Sequence, residues 1–128
     1  IGKAKVLREG KKASIITYGM GVHWALKLAE ELDVEIVDLR TLLPLDTETI
    51  YASVKKTGKA LILHEDTLTG GIGAEISALI SEHCFQYLDA PVLRVASLDT
   101  AVPFQIDLEK QFLANRELEG KLKELLGY

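Results

Sequence analysis

A single cysteine, Cys84, excludes an internal disulfide and fits a reducing compartment. No apolar run approaches the ~20 residues needed to cross a bilayer, and no signal peptide opens the sequence. A basic stripe is also missing. Fifteen Lys and Arg stand against 19 Asp and Glu, for a net charge of −4 and a pI near 5.4. That balance argues against non-specific nucleic-acid binding. There is no internal repeat and no low-complexity segment. Met20 is the only methionine and the chain opens at Ile1, which leads us to expect a piece of a longer protein.

What is present is ordinary globular material: 128 residues, 48% hydrophobic and 27% charged. The length fits one domain over residues 1–128, able to bury roughly two-thirds of its unfolded surface. Lys3 to Arg8 reads as a first strand or arm, and Ala13 to Tyr18 as a buried strand. Val22, Ala25, Ala29 and Leu32 then recur at helical spacing, with Trp24 and Leu28 widening the apolar face. Val34 to Leu39 is the next strand. Asp46 is a natural N-cap for a helix reaching about Lys56, with Leu45 and Ile50 as a hydrophobic staple. Lys55 and Lys56 suit its last turn and Gly58 its stop.

Ala60 to His64 is expected as a third strand. Gly70-Gly71-Ile72-Gly73 then opens a helix whose Ile72, Ile76, Leu79, Ile80, His83 and Tyr87 share a face, broken by Ala90-Pro91. Val92 to Ala96 reads as a fourth strand. A helical tail carries Leu108 and Phe112, then Leu118, Leu122, Leu125 and Leu126. Strands alternating with helices at this spacing imply right-handed crossovers and helices on both sheet faces. The expected fold is a three-layer α/β/α architecture around a mostly parallel central sheet.

Few residues offer chemistry. The glycine run has neither the dinucleotide G-x-G-x-x-G spacing nor a phosphate-loop signature. Its backbone could hold an anion, but a turn and close packing are the better reading. His64-Glu65-Asp66 stands at the end of a strand, where parallel sheets gather functional groups. Neighbours on an extended chain face opposite ways, so His64 and Glu65 do not aim at one substrate without a turn; a structural or subunit-interface role is preferred to catalysis. His83-Cys84 lacks a third ligand at zinc spacing, and His83 reads as packed in the apolar stripe. His23, beside Trp24, has no nameable partner. Arg40 and Arg94 read as ion-paired with carboxylates such as Asp38 or Glu65. No Ser/His/Asp set or nucleophile elbow occurs. The acidic tail, with Asp107, Glu109, Glu117, Glu119 and Glu124, reads as the solvated side of an amphipathic helix.

Within Glu35 to Glu75, the words VDLRTLLPLD, KKTGKALILHED and GGIGAEI follow one another. In order and spacing they resemble the C-terminal domain of the beta subunit of the thiamine-diphosphate-dependent first component of 2-oxo-acid dehydrogenase complexes, of the pyruvate or branched-chain 2-oxoisovalerate type. The fold this resemblance implies is that of the transketolase C-terminal domain. YGMGVHWALKLAE and VKKTGKALIL are also similar to versions in which alpha and beta are fused. Asp99-Thr100-Ala101-Val102-Pro103 resembles the family's D-x-P-x-P loop, with alanine at the first proline; that change loosens the loop.

The resemblance implies a parent that decarboxylates a 2-oxo acid on thiamine diphosphate with Mg²⁺ and passes the acyl group to a lipoyl arm. Other domains hold that cofactor and metal, so no catalytic, cofactor-binding or metal residue is expected in this chain. Its own work is assembly, inactive alone. His64, Glu65, Asp66, Gly70, Gly71 and Asp99 become candidates for the subunit interface with alpha and beta portions of the enzyme, in a homo- or hetero-oligomer. Glu109, Glu117, Glu119, Glu124 and Tyr128 become candidates for docking the basic subunit-binding domain of the dihydrolipoyl acyltransferase. Neither a membrane nor a nucleic acid is an expected partner. The implied location is the bacterial cytoplasm, or the mitochondrial matrix in a eukaryote. Two alternatives stand beside this: the same domain of transketolase or deoxyxylulose-phosphate synthase, and a free-standing ligand-binding or regulatory α/β domain using the Gly70–Gly73 turn.

Overall fold

The short apolar runs become neighbouring strands because each carries side chains for both faces of one sheet. In the computed structural model, which describes residues 1–97 and 115–128, the strands are β1 (Lys5–Arg8), β2 (Ala13–Thr17), β3 (Val34–Asp38), β4 (Ala60–Thr67) and β5 (Leu93–Ser97). The helices are α1 (Met20–Leu32), α2 (Thr47–Thr57), α3 (Ile72–Cys84) and α4 (Asn115–Leu126), with a 3-10 turn at Phe85–Tyr87. The five-stranded sheet runs β1-β3-β2-β4-β5. All pairings are parallel except β1 with β3, so the expected mostly parallel α/β sheet is what forms.

Alternation along the strands sorts the core into two layers. Ile15, Ile36, Leu61 and Leu63 face Ala25 and Ala29 of α1 and Leu118, Leu122 and Leu125 of α4. Ile16, Val37 and Ile62 face Ile50 and Val54 of α2 and Ile76, Ile80 and Cys84 of α3. Helices therefore cover both faces, as the run of βα units requires.

Helix α2 is punctuated as its sequence indicates. The Asp46 carboxylate accepts from the Thr49 N–H at 3.2 Å and the Thr49 hydroxyl at 2.6 Å, and also from the Ala4 N–H at 2.9 Å. Leu45 and Ile50 join the same apolar cluster. Gly58 closes the helix at φ 76°, its N–H donating to the Val54 carbonyl at 2.8 Å, a left-handed cap that glycine adopts without strain.

Three boundaries differ from the sequence reading. Strand β4 runs past His64 to Thr67, because Thr67 pairs with Ser97 after a register shift. Helix α3 ends at Cys84 in the 3-10 turn, before Ala90-Pro91 is reached. Strand β5 starts at Leu93 and ends at Ser97. Leu108 and Phe112 lie outside the described residues.

A buried polar network fastens α2 to the sheet. Glu35, on β3, is 1% exposed. Its carboxylate accepts from Ser53 Oγ at 2.6 Å, from the Gly10 N–H at 3.4 Å, and from the Lys56 ammonium. Ser53 Oγ lies 2.6 Å from Ser14 Oγ, which lies 2.8 Å from Thr57 Oγ1. The bond to Glu35 and its charge hold the Lys56 ammonium above the usual lysine range.

Asp46→Ala removes an acceptor from three donors and is expected to cost about 1–2 kcal/mol in chemical denaturation. Hydrogen bonding holds the Asp46 carboxyl below its ordinary 3.8, foremost the bond from the Thr49 hydroxyl. Its contribution is therefore complete above pH 3.8 and disappears as pH falls through the lower folded-state value. The difference between wild type and variant should close over that acid window; a gap that persists below it would show that Asp46 acts other than as a charged cap.

Candidate functional site

The C-terminal ends of the parallel strands come together at one end of the sheet. They bring Tyr18 and Gly19 after β2, Arg40 after β3, His64 to Thr67 on β4, and Ser97 on β5 to a common edge. His64 is 1% exposed and uses both ring nitrogens on backbone. Nδ1 lies 3.1 Å from the Asp66 carbonyl oxygen, and the Gly73 N–H donates to Nε2 at 3.1 Å. A carbonyl only accepts and an N–H only donates, so the ring is the neutral Nδ1–H tautomer. Burial, the largest influence, pushes the His64 pKa below its ordinary value, with Arg94 acting the same way and Asp66 opposing. The Tyr18 ring stacks 6.3 Å away; its hydroxyl is held above the usual tyrosine range by burial first, then by Asp66 and Glu65.

The glycines make room for this imidazole. A Cβ on Gly73 would stand 2.5 Å from His64 Nε2, and one on Gly71 2.8 Å from Cε1. The Gly73 N–H is committed to His64, and the Ala74 N–H donates to the Gly71 carbonyl at 3.2 Å. The turn is thus filled from inside, and the residues present do not fit a diphosphate cradle. Gly70, at φ 77°, is exposed, with nothing within 4 Å of an added Cβ.

Glu65 goes the other way, as strand alternation demands. Its Oε1 accepts from the Met20 N–H at 3.3 Å, the first residue of α1. That helix has no acidic residue in its first turn, so Glu65 brings the negative charge that a helix N-terminus favours. Ser97 Oγ donates to the Glu65 carbonyl, and Arg94 donates to the Leu68 carbonyl at 3.2 Å. The Arg94 guanidinium thus bonds a backbone oxygen where a carboxylate was expected. Arg40 pairs with Asp38 as anticipated, Nε to Oδ2 at 3.6 Å, from a backbone at φ 60°. Two exposed apolar side chains flank this end of the sheet: Met20 at 48% and Leu43 at 92%.

The described tail candidates are spread along α4 and the residues after it. Lys59, just ahead of β4, donates from Nζ to the carbonyl oxygens of Leu126 at 3.3 Å and Tyr128 at 2.7 Å. On α4, Glu119 pairs with Lys123 at 3.0 Å and Glu124 with Lys121 at 3.5 Å; Glu117 is half-buried. Asp99, the loop to Pro103, Asp107 and Glu109 lie outside the described residues. Of the described tail candidates, Tyr128 thus lies near the N-terminal end of β4, whereas Glu119 lies beside Trp24 and Lys27 of α1.

His83 departs from its expected place in the apolar stripe. It is exposed, with its ring 5.0 Å from Tyr51, while Cys84 is fully buried in the row Ile76–Ile80–Cys84. Burial also raises the Cys84 thiol pKa, the reverse of what a nucleophile needs. Among the described residues no His, Cys, Asp and Glu group is arranged to hold a metal. The sequence reading missed the Glu35 network, which borders a cavity of about 360 Å³ also lined by Glu9, Glu48 and Val6. Its signal was a carboxylate at an otherwise apolar strand position.

Gly73→Ala drives a methyl group into His64 and is expected to cost about 1–3 kcal/mol. In a His64→Ala background the ring is gone and the added methyl group should cost much less. Strictly additive losses in urea denaturation would show that the two positions are not coupled.

Comparison with known proteins agrees with this architecture. The family described as transketolase, C-terminal domain, matches residues 2–117. The chain is 47% identical over 135 aligned positions to the 2-oxoisovalerate dehydrogenase subunit beta of Bacillus subtilis (strain 168), an alignment covering 100% of the chain and 41% of that relative. It is 45% identical over 134 positions to the pyruvate dehydrogenase E1 component subunit beta of Staphylococcus aureus, again covering 100% of the chain and 41% of the relative. The chain thus spans about two-fifths of the length of these relatives. Among solved structures, a split-gene transketolase described as an inactive beta4 tetramer superposes with a TM-score of 0.81 at 28% identity, over 98% of this chain and 42% of that one. On the match across residues 2–117, the chain belongs to the transketolase C-terminal domain family.

Proposed function

We propose that this chain is the C-terminal assembly domain of the beta portion of a 2-oxo-acid dehydrogenase decarboxylating component. The observation that carries the reading is identity of 45–47% to beta subunits along the whole chain. The parent performs oxidative decarboxylation of a 2-oxo acid and acyl transfer to lipoyl groups, in the bacterial cytoplasm. Thiamine diphosphate supplies the carbanion-stabilising chemistry there and, with Mg²⁺, is held by other domains. In keeping with that division, the glycine turn here is filled by His64 rather than open to a phosphate.

The assembly face is the C-terminal end of the sheet. Glu65, Asp66 and Gly70 are exposed there, beside Met20 and Leu43, while His64 and Gly71 hold the turn from beneath; Asp99 belongs to the same candidate set. Apolar side chains this exposed are stabilised by a partner's surface. The acyltransferase subunit-binding domain docks on the acidic tail, at Glu109, Glu117, Glu119, Glu124 and Tyr128, its arginines meeting carboxylates. The second reading is the same domain of transketolase itself, favoured by the 0.81 superposition on a split-gene transketolase. Its 28% identity places it behind the first.

Three outcomes test the proposal. Calorimetric titration of the chain with thiamine diphosphate and Mg²⁺ should give no saturable heat; stoichiometric binding would overturn the division of labour. Sedimentation should reveal concentration-dependent association that Leu43→Asp weakens without lowering the melting temperature, and a strict monomer at high concentration would remove the interface. Binding of a basic acyltransferase subunit-binding domain should weaken about tenfold or more in the Glu119→Lys, Glu124→Lys double variant, roughly 1.4 kcal/mol. Unchanged affinity would move the docking surface elsewhere.

A further inference from the structure

We propose that His64 is a proton-operated latch: neutral, it holds the Gly70–Gly73 turn and the start of α3 against the sheet, and protonated, it lets them go. The two backbone bonds define the neutral state. Nδ1–H donates to the Asp66 carbonyl, and Nε2 accepts the Gly73 N–H at 3.1 Å. A second proton has one place to go, Nε2. There it meets the Gly73 N–H head on, two donors with no acceptor between them.

The ring cannot turn aside to relieve this. Gly71 and Gly73 press on it so closely that even a methyl group on either would overlap the imidazole. Water has no ready access, since His64 is 1% exposed. Swinging the ring would also break the Asp66 bond. The turn is the softer element: Gly70 is exposed and unencumbered, and α3 has no side-chain cap at Gly71. Loss of the Gly73 bond therefore moves the turn and the first residues of α3, while β4 stays in place between β2 and β5.

The charged and titratable groups facing His64 come from three strands. Tyr18, following β2, stacks on the ring; Asp66 belongs to β4, whose Glu65 turns to the opposite face; Arg94 comes from β5 and disfavours a second positive charge. Asp66 favours protonation, but burial outweighs it, so the folded-state pKa lies below the ordinary 6.5. The sign follows. Stability supplied by neutral His64 is complete above pH 6.5 and is lost as pH falls through the lower folded-state value. Every group in the latch belongs to this chain, so it stands or falls apart from the assembly reading.

Nitrogen-15 NMR of the 128-residue chain tests it directly. Near neutral pH, His64 should show the Nδ1–H tautomer, with the Gly73 amide protected from exchange. On acidification, Gly73 protection, corrected for intrinsic rate, should fall about tenfold for each unit by which the folded pKa lies below 6.5. The amides of α2 should hold their protection over the same range. His64→Gln offers an amide oxygen in place of Nε2 and does not titrate, so its Gly73 protection should not change with pH. An Nε2–H tautomer at neutral pH would overturn the latch. So would Gly73 protection unchanged through the His64 titration, or lost only together with α2. Should the Gln variant fail to fold, the wild-type tautomer and exchange profile decide alone.

Discussion

A sheet covered by helices on both faces leaves no water for the polar side chains of its central strands, and that constraint organises this molecule. Leaving a buried donor or acceptor unpaired costs about 1–3 kcal/mol, so each such group must find its partner within the chain. Three of them find it on the α2–α3 face. Ser14 and Glu35, near the N-terminal ends of β2 and β3, meet Ser53, Lys56 and Thr57 of α2. His64, at the far end of β4, meets the start of α3. Apolar packing alone would tolerate some sliding of these helices; directional bonds at each end of the strands fix them. The opposite face shows the same rule under stress, since Thr17 Oγ1 is buried without a partner among the described residues, where Gly21 brings the α1 backbone down upon it.

The adjacent His64 and Glu65 work on two layers because a strand sends neighbours to opposite faces. His64 reaches α3 and Glu65 reaches the N-terminus of α1. A pair that looks like an acid–base couple in one dimension is a two-sided clamp in three. Ser97 and Arg94 reinforce it from β5 by bonding the Glu65 and Leu68 carbonyls, so α1, β4, α3 and β5 all meet at this strand end. The candidate interface therefore rests on a well-braced platform, with only exposed side chains such as Leu43 and Met20 left to meet a partner.

Much of this was legible in the sequence. The alternating strands, the staple and caps of α2, the glycine turn as packing rather than phosphate site, and the leucine stripe of α4 all follow from local rules. What escaped reading depends on contacts distant in sequence. Strand β4 continues to Thr67 because Ser97 stands beside it. His83 turns outward because the buried row of α3 is the i, i+4 series Ile76, Ile80 and Cys84, which leaves position 83 off the inward face. Glu35 carries no local mark beyond being a carboxylate among Val34, Ile36 and Val37; its partners lie 18 and 21 residues away. Single-sequence patterns describe faces, whereas the buried polar networks are set by which faces meet.

The glycine turn shows why a motif is judged by what fills it. A run of glycines between a strand and a helix offers free N–H groups to an anion only where the cradle is open. Here an imidazole sits inside, takes the Gly73 N–H, and dictates that positions 71 and 73 have no side chain. The same bonds that close the turn to a phosphate give its ordering a dependence on a single proton, because a neutral imidazole is both donor and acceptor and a charged one is donor only. The glycines are thus explained by His64, and His64 by the lack of water at a strand buried on both sides.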